Sequence, residues 1–253
     1  MSISSRMELA RLLVKAQRTG VPLAELPADL APADTESAIA VQLEVLRQRQ
    51  ATVGGWKIGA KSDTAPILGS PLPADGVHRS PATLKRESFT LLGLELEIAF
   101  RFGRRFRPGE GPYSDEEVLN SVESMMAAIE VVSSRFAQWP NVNQLGQMAD
   151  LQNHGALVTG EPVAYRGAFP FLTPDVKFSY ETIDIVPDVP ANPAGDPRRL
   201  LGWVVNHSIG LGLELGPETI ITTGSYTGLY FPARQGLAIG EIGGLPPVQV
   251  SLT

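Results

Sequence analysis

Two apolar runs in this chain carry carboxylates among side chains that a fold tends to bury. The first is Leu94-Glu95-Leu96-Glu97-Ile98-Ala99 and the second is Ala128-Ile129-Glu130-Val131-Val132. Segment 90–102 alternates in part and reads as a strand, and in a strand residues i and i+2 share a face. Glu95 and Glu97 then lie side by side among leucine and isoleucine, where two like charges repel and are poorly solvated. A divalent cation removes that penalty; the plain alternative is a solvent-facing strand edge. Glu130 sits in an almost wholly apolar, β-branched stretch, so it must be paired or bound to something. Three carboxylates make a hard oxygen donor set suited to Mg²⁺ or Mn²⁺. The competing reading of Glu130 is a buried salt bridge, for instance with Arg135.

The remaining chain reads as a helical lead-in followed by a β-rich body. Residues 7–18 have Leu9, Leu12, Leu13 and Ala16 at helical spacing, with Gly20 as a stop. A second helix is expected over about 34–50, capped by Asp34 or Thr35. After Gly54-Gly55, short apolar runs alternate with Gly and Pro turns. Ser114-x-x-Glu117 is a capping-box pattern and predicts a helix over 115–127. A buried strand is expected at 128–132, a Pro/Gly/Asp-rich loop at 187–197 and a helix at 200–214. Strands are expected at 220–223 and 245–252. The expected division is a helical segment, 1–52, and a β-rich catalytic domain, 53–253.

Composition narrows the chemistry. Cysteine is absent, which excludes disulfides, thiolate metal sites and a Cys nucleophile. The 253 residues carry a net charge of −6 with no Lys/Arg stripe, so nucleic acid is not an expected partner. No apolar run approaches the ~20 residues of a membrane span. Arg6, Glu8, Arg11 and Lys15 interrupt the first apolar pattern, against a signal peptide. The expected location is cytoplasmic, away from membranes.

Further motifs bear on a site. Lys57 lies in Gly54-Gly55-Trp56-Lys57-Ile58-Gly59, where glycine lets a ligand approach the backbone closely. Such a lysine either binds a carboxylate or, its pKa lowered by burial, moves protons; the plain alternative is an exposed loop lysine. The Gly and Lys spacing does not match a phosphate loop, and Gly210-x-Gly212 lacks the context of a dinucleotide site. There is no Gly-x-Ser-x-Gly element, which counts against a serine α/β-hydrolase. Asp75 in Pro73-Ala74-Asp75-Gly76 reads locally as a turn. Thr223, Gly224 and Ser225 follow a strand, where hydroxyls and amides could meet a carboxylate.

Taken together, these residues resemble the 2-keto-4-pentenoate hydratase / 4-oxalocrotonate decarboxylase branch of the fumarylacetoacetate-hydrolase superfamily. The likeness runs through Ala38-Ile39-Ala40-Val41-Gln42, Gly55-Trp56-Lys57-Ile58-Gly59, Leu68-Gly69 and Asp75-Gly76. It continues through the Glu95-x-Glu97 and Glu130 runs, Gly195-Asp196-Pro197, Trp203 to Asn206 and Thr223-Gly224-Ser225. The resemblance implies an α+β fold, a mixed β-roll with an N-terminal helical segment, in a homo-oligomer. It implies Glu95, Glu97 and Glu130 as ligands of Mg²⁺ or Mn²⁺, Lys57 as the catalytic lysine and Asp75 as its acidic companion. Thr223, Gly224 and Ser225 would line a pocket for a small 2-oxo or 2-hydroxydienoic acid. The implied reaction is addition of water to a 2-hydroxy-2,4-dienoate. Its alternatives are 4-oxalocrotonate-type decarboxylation, acylpyruvate or C–C bond hydrolysis, and silent metal or carboxylate binding. Many relatives have small hydroxyl residues where this chain has Asn153-His154-Gly155, so His154 is expected to reach the substrate and change its choice.

Overall fold

The computed structural model describes residues 1–253. Two helices come first, α1 (Ile3–Thr19) and α2 (Thr35–Arg49). The Ser2 hydroxyl accepts from the Ser5 amide to start α1, and Gly20, at φ 67°, ends it. Asp34 caps α2 in a reciprocal box with Ser37. Strands β1 (Val53–Gly59), β2 (Leu68–Pro73), β3 (Val77–Arg79), β4 (Ala82–Leu84) and β5 (Gly93–Phe102) follow. Next come α3 (Asp115–Leu119), β6 (Val122–Val132), α4 (Gln144–Ala149), β7 (His154–Thr159), β8 (Val163–Ala164), β9 (Val176–Tyr180) and β10 (Ile183–Asp184). Helix α5 (Leu201–Gly210) precedes β11 (Ile220–Ser225), β12 (Gly236–Ile242) and β13 (Val248–Leu252). No helix is long and apolar enough to cross a membrane.

The strands form two mixed sheets, so the fold is α+β. The larger has the order β2-β1-β11-β5-β6-β7-β3, with β8 also on β6; the smaller has the order β10-β9-β12-β13-β4. Their inner faces share the main core, which includes Leu94, Leu96, Ile98 and Phe100 of β5 and Val248 and Val250 of β13. Gly240 of β12 allows the sheets to meet: a Cβ there would lie 2.4 Å from Leu96. The N-terminal helices do not form a body of their own. Leu9, Leu13, Val41 and Val45 share a second core with Phe136, Val142, Met148 and Leu151. Val53 opens the first strand directly after α2.

One expectation fails in an instructive place. The Ser114/Glu117 box forms as expected, with mutual hydrogen bonds of 3.2 and 2.8 Å. The helix it starts nevertheless stops at Leu119, and residues 122–127 join β6. The box specifies a start and nothing about length. The continuous ladder between β5 and β6 then takes these residues as strand. Similarly, 200–214 is helical only over Leu201–Gly210, after a 3₁₀ turn from Pro197, and Gly212 turns away at φ 77°.

Between β6 and β7 a buried ion pair holds the chain. The Arg135 guanidinium contacts the Asp150 carboxylate and also donates to the carbonyls of Ser133, His154 and Asp150. The Arg135 amide adds a 2.8 Å bond to Asp150. Both side chains are buried. Arg135 therefore belongs to Asp150 and not to Glu130; the buried salt bridge named as the alternative for Glu130 forms instead with Lys57, at 2.7 Å. Arg135→Leu leaves the buried Asp150 carboxyl without its cation, so we expect about 3–5 kcal/mol lower stability in chemical denaturation. A loss below about 1 kcal/mol would show that the pair is not the clamp described.

Candidate active site

Register alone brings the three carboxylates together. Glu95 and Glu97 occupy alternate positions of β5, and Glu130 of β6 lies directly opposite Glu95. Residues directly opposite in an antiparallel pair have Cβ atoms ~5 Å apart, so all three side chains meet on one face. One carboxylate oxygen from each lies within 4.8 Å of the others. They form a candidate site of hard oxygen donors for Mg²⁺ or Mn²⁺. One oxygen of Glu97 is held by the Thr222 hydroxyl and, at 3.0 Å, by the Gly224 amide. The Oε2 atom of Glu130 is buried without any hydrogen-bond partner. A buried acceptor left bare in this way is what a cation would satisfy.

Lys57 arrives from β1, which runs parallel to β11, with β11 in turn antiparallel to β5. Its ammonium donates to Glu130 Oε1 at 2.7 Å and to the Gln152 carbonyl at 3.1 Å. The lysine and the three glutamates line a cavity of about 440 Å³, together with Gln152, Asn192, Gly224 and Ser225.

The electrostatics follow from crowding. Burial, then the charge of Glu130, pushes Glu95 up to about 7. Burial, then Glu130 and Glu95, pushes Glu97 up to about 8. Burial would also raise Glu130, but the Lys57 charge and the His154 contact outweigh it and bring it below the ordinary carboxylate range. Burial opposes charge on Lys57, yet Glu130 and Glu95 raise its pKa overall. This overturns one of the two expectations for Lys57, a pKa lowered by burial: its carboxylate neighbours keep it an ammonium.

The structure separates the other expected residues. Gly224 and Ser225 face the cavity. Thr223 does not: it is buried, and its hydroxyl donates to the Ile98 carbonyl at 2.8 Å. The neighbour Thr222 makes the contact with Glu97, because strand alternation points it that way. His154 also lies behind the site. It is buried, with Nδ1 3.4 Å from Glu130 Oε1, so it touches a candidate ligand and does not line the cavity. Asp75 is placed elsewhere, pairing with Arg49 at 2.9 Å on an exposed surface. Its turn chemistry is real, but the turn carries it outside the lining of the cavity.

Two residues were not singled out in the sequence. Asn192, in the loop expected at 187–197, donates to the carbonyls of Thr223 and Gly224 at 2.9 and 3.0 Å and so fixes the strand end. Its Pro-x-Asn-Pro context signals a turn and nothing more. Gln152 is one of three consecutive non-glycine residues in left-handed backbone: Leu151 at φ 49°, Gln152 at 50° and Asn153 at 59°. Such residues cost roughly 1–3 kcal/mol each and persist where surrounding contacts over-determine them. Here Arg135 grips the carbonyls on both sides, at Asp150 and His154.

No protein-family model matches the chain. A 2-keto-4-pentenoate hydratase of Paraburkholderia xenovorans (strain LB400) is 25% identical over 237 residues, covering 89% of this chain and 86% of that protein. The 4-oxalocrotonate decarboxylase from Pseudomonas putida G7, solved with magnesium and adipate, superposes with a TM-score of 0.86. It is 18% identical and covers 100% of this chain and 99% of its own. These likenesses support the fumarylacetoacetate-hydrolase superfamily. Within that superfamily they support the hydratase/decarboxylase branch. A more distant structure, a fumarylpyruvate hydrolase from Pseudomonas aeruginosa in complex with Mn²⁺ and pyruvate, gives a TM-score of 0.55 at 14% identity, covering 78% of this chain and 88% of that one.

A pH signature follows from the raised carboxyls. From about pH 4.3, the ordinary glutamate value, up to about 7 for Glu95 and about 8 for Glu97, the folded metal-free chain holds protons that the unfolded chain has released. Their contribution to stability is complete below that window and is lost as pH rises through it. Cations bind the ionised form. Thermal melts with and without Mg²⁺ should therefore show a larger Mg²⁺-induced rise in Tm at pH 8.5 than at pH 5.5, and Glu97→Gln should flatten the difference. A larger rise at pH 5.5 would contradict the assignment.

Proposed function

We propose that this chain is a metal-dependent hydratase adding water to a short, monocarboxylic 2-hydroxy-2,4-dienoate, with Glu95, Glu97 and Glu130 holding Mg²⁺ or Mn²⁺. One observation carries the choice of substrate: Lys57 is the only basic side chain lining the cavity that holds the three carboxylates. A substrate with a second carboxylate at its far end would find no cationic partner there. Support for the reaction class comes from the hydratase relative and from the solved neighbours that carry magnesium or manganese.

When bound, the cation supplies fixed positive charge at the carboxylate and 2-oxygen end of the substrate, where negative charge develops. The chain's own groups do the rest. Lys57, an ammonium beside Glu130, is the proton-moving group. It serves the shift of a proton from the 2-hydroxyl to C5, which converts the dienol to a 2-oxo-3-enoate. Water then adds its oxygen to C4 and a proton to C3, giving a 4-hydroxy-2-oxo acid. The Gly224 and Ser225 turn, fixed by Asn192, walls the substrate against the carboxylate cluster. Asp75 has no part in these steps.

The likeness in fold to the decarboxylase favours a second reading, loss of CO₂ from a 2-oxo diacid through the same charge stabilisation. The test incubates Mg²⁺-loaded protein separately with 2-hydroxypenta-2,4-dienoate and with 4-oxalocrotonate, following ultraviolet absorbance and CO₂. We expect hydration of the first, abolished by chelator. Fast CO₂ release from the second with no hydration of the first would reverse the choice. Inactivity on both would leave a binding protein.

The lysine has its own test. Lys57→Ala should lower kcat by about 10²–10⁴, the range for a positioned proton donor. The same variant should bind Mg²⁺ as tightly as the wild type or more so, since a competing cation beside Glu130 has gone. Near-normal turnover would return Lys57 to a structural ion pair.

A further inference from the structure

A second cleft of about 400 Å³ adjoins the catalytic cavity, lined by Lys61, Gln144, Gln147, Met148 and Asn153 among others. Gln152 is the single residue that lines both. Its Nε2 is buried and has no acceptor anywhere in the chain, and the carboxamide oxygen of Asn153 is buried without a donor. The Asn153 amide group donates to Gln147 Oε1 at 3.1 Å, so the cleft wall beyond Gln152 is a set of side-chain amides with Lys61 as its one base.

The backbone beneath Gln152 is held with unusual effort. It is the middle residue of the three in left-handed conformation. The Ser133 amide donates to the Asn153 carbonyl at 2.7 Å, Lys57 donates to the Gln152 carbonyl, and Arg135 grips the residues on either side. Left-handed backbone in non-glycine residues is disfavoured and persists where surrounding contacts over-determine it. The backbone of Gln152 is used by Lys57, but its side-chain amide N–H makes no internal bond. The consequence of this conformation is to set a long polar side chain between two cavities with a free N–H donor.

We propose that Gln152 is the specificity-determining residue that fixes substrate length. Its side chain closes the catalytic cavity against the amide-lined cleft and donates to an oxygen of a short substrate. Removing it joins the two spaces, and a longer 2-oxo diacid can then reach Lys61 with its far carboxylate. The inference rests on the 2-oxo-acid reading of the cavity. It explains how a cleft containing a second base lies next to a cavity that lacks one.

Binding without turnover tests it. Mg²⁺-loaded wild type, Gln152→Ala and the double variant Gln152→Ala/Lys61→Ala are titrated calorimetrically with 2-oxopentanoate and with 2-oxoheptanedioate. Wild type should bind the five-carbon acid at least tenfold more tightly than the seven-carbon diacid. Gln152→Ala should weaken the first and strengthen the second, erasing that ratio, and loss of Lys61 should remove the gain. Gln152→Asn, whose side chain is shorter and tolerates left-handed backbone, should shift the ratio the same way and serves if the alanine variant melts prematurely. An unchanged ratio in both variants, or equal affinity for the two acids in wild type, overturns the role of Gln152 and leaves the site intact. If neither acid binds wild type, the 2-oxo-acid reading itself falls and this inference falls with it.

Discussion

Mutual repulsion among Glu95, Glu97 and Glu130 is the constraint around which this structure is arranged. Three carboxyls on one strand face, their oxygens within 4.8 Å, cannot all ionise in a buried site without compensation. The fold answers in three ways. The Thr222 hydroxyl and Gly224 amide hold one oxygen of Glu97, Lys57 neutralises Glu130, and the remaining charge is suppressed by raised proton affinity at Glu95 and Glu97. Each answer is partial, and Glu130 Oε2 stays bare. A site balanced in this manner is poised to exchange protons for a divalent cation.

The carboxylates were legible because their sequence context contradicts their chemistry. A glutamate between leucines in a strand has few outcomes, and period-two alternation supplied the geometry of Glu95 and Glu97. The pairing of Glu130 across from Glu95 was not legible from spacing, since register between strands is set by the whole ladder. The same limit explains Thr223: reading Thr223-Gly224-Ser225 as a unit ignored the alternation that turns Thr222 to the site and Thr223 to the Ile98 carbonyl. His154 was read as substrate-facing because small side chains stand there in relatives. The bend from the 3₁₀ turn into β7 instead tucks it behind Glu130.

Asp75 and Gln152 show opposite failures. Asp75 lies in a turn that looked like part of a motif, yet the turn delivers it to Arg49 at the surface. Gln152 had no motif at all. Its position depends on left-handed backbone that residue type does not favour, imposed by the distant Arg135–Asp150 pair. At fold level, the helical lead-in and the β-rich body were readable from hydrophobic periodicity. The length of the helix after Ser114 was not, because strand pairing with β5 overrides local preference across 122–127.

The central claim is that the three glutamates share one divalent cation. Anomalous diffraction from crystals grown with Mn²⁺ tests it without reference to turnover. The account predicts a single strong peak per chain, placed between one oxygen each of Glu95, Glu97 and Glu130. Data showing the three carboxylates clustered as here, with no peak among them at saturating Mn²⁺ and pH 8, would contradict it.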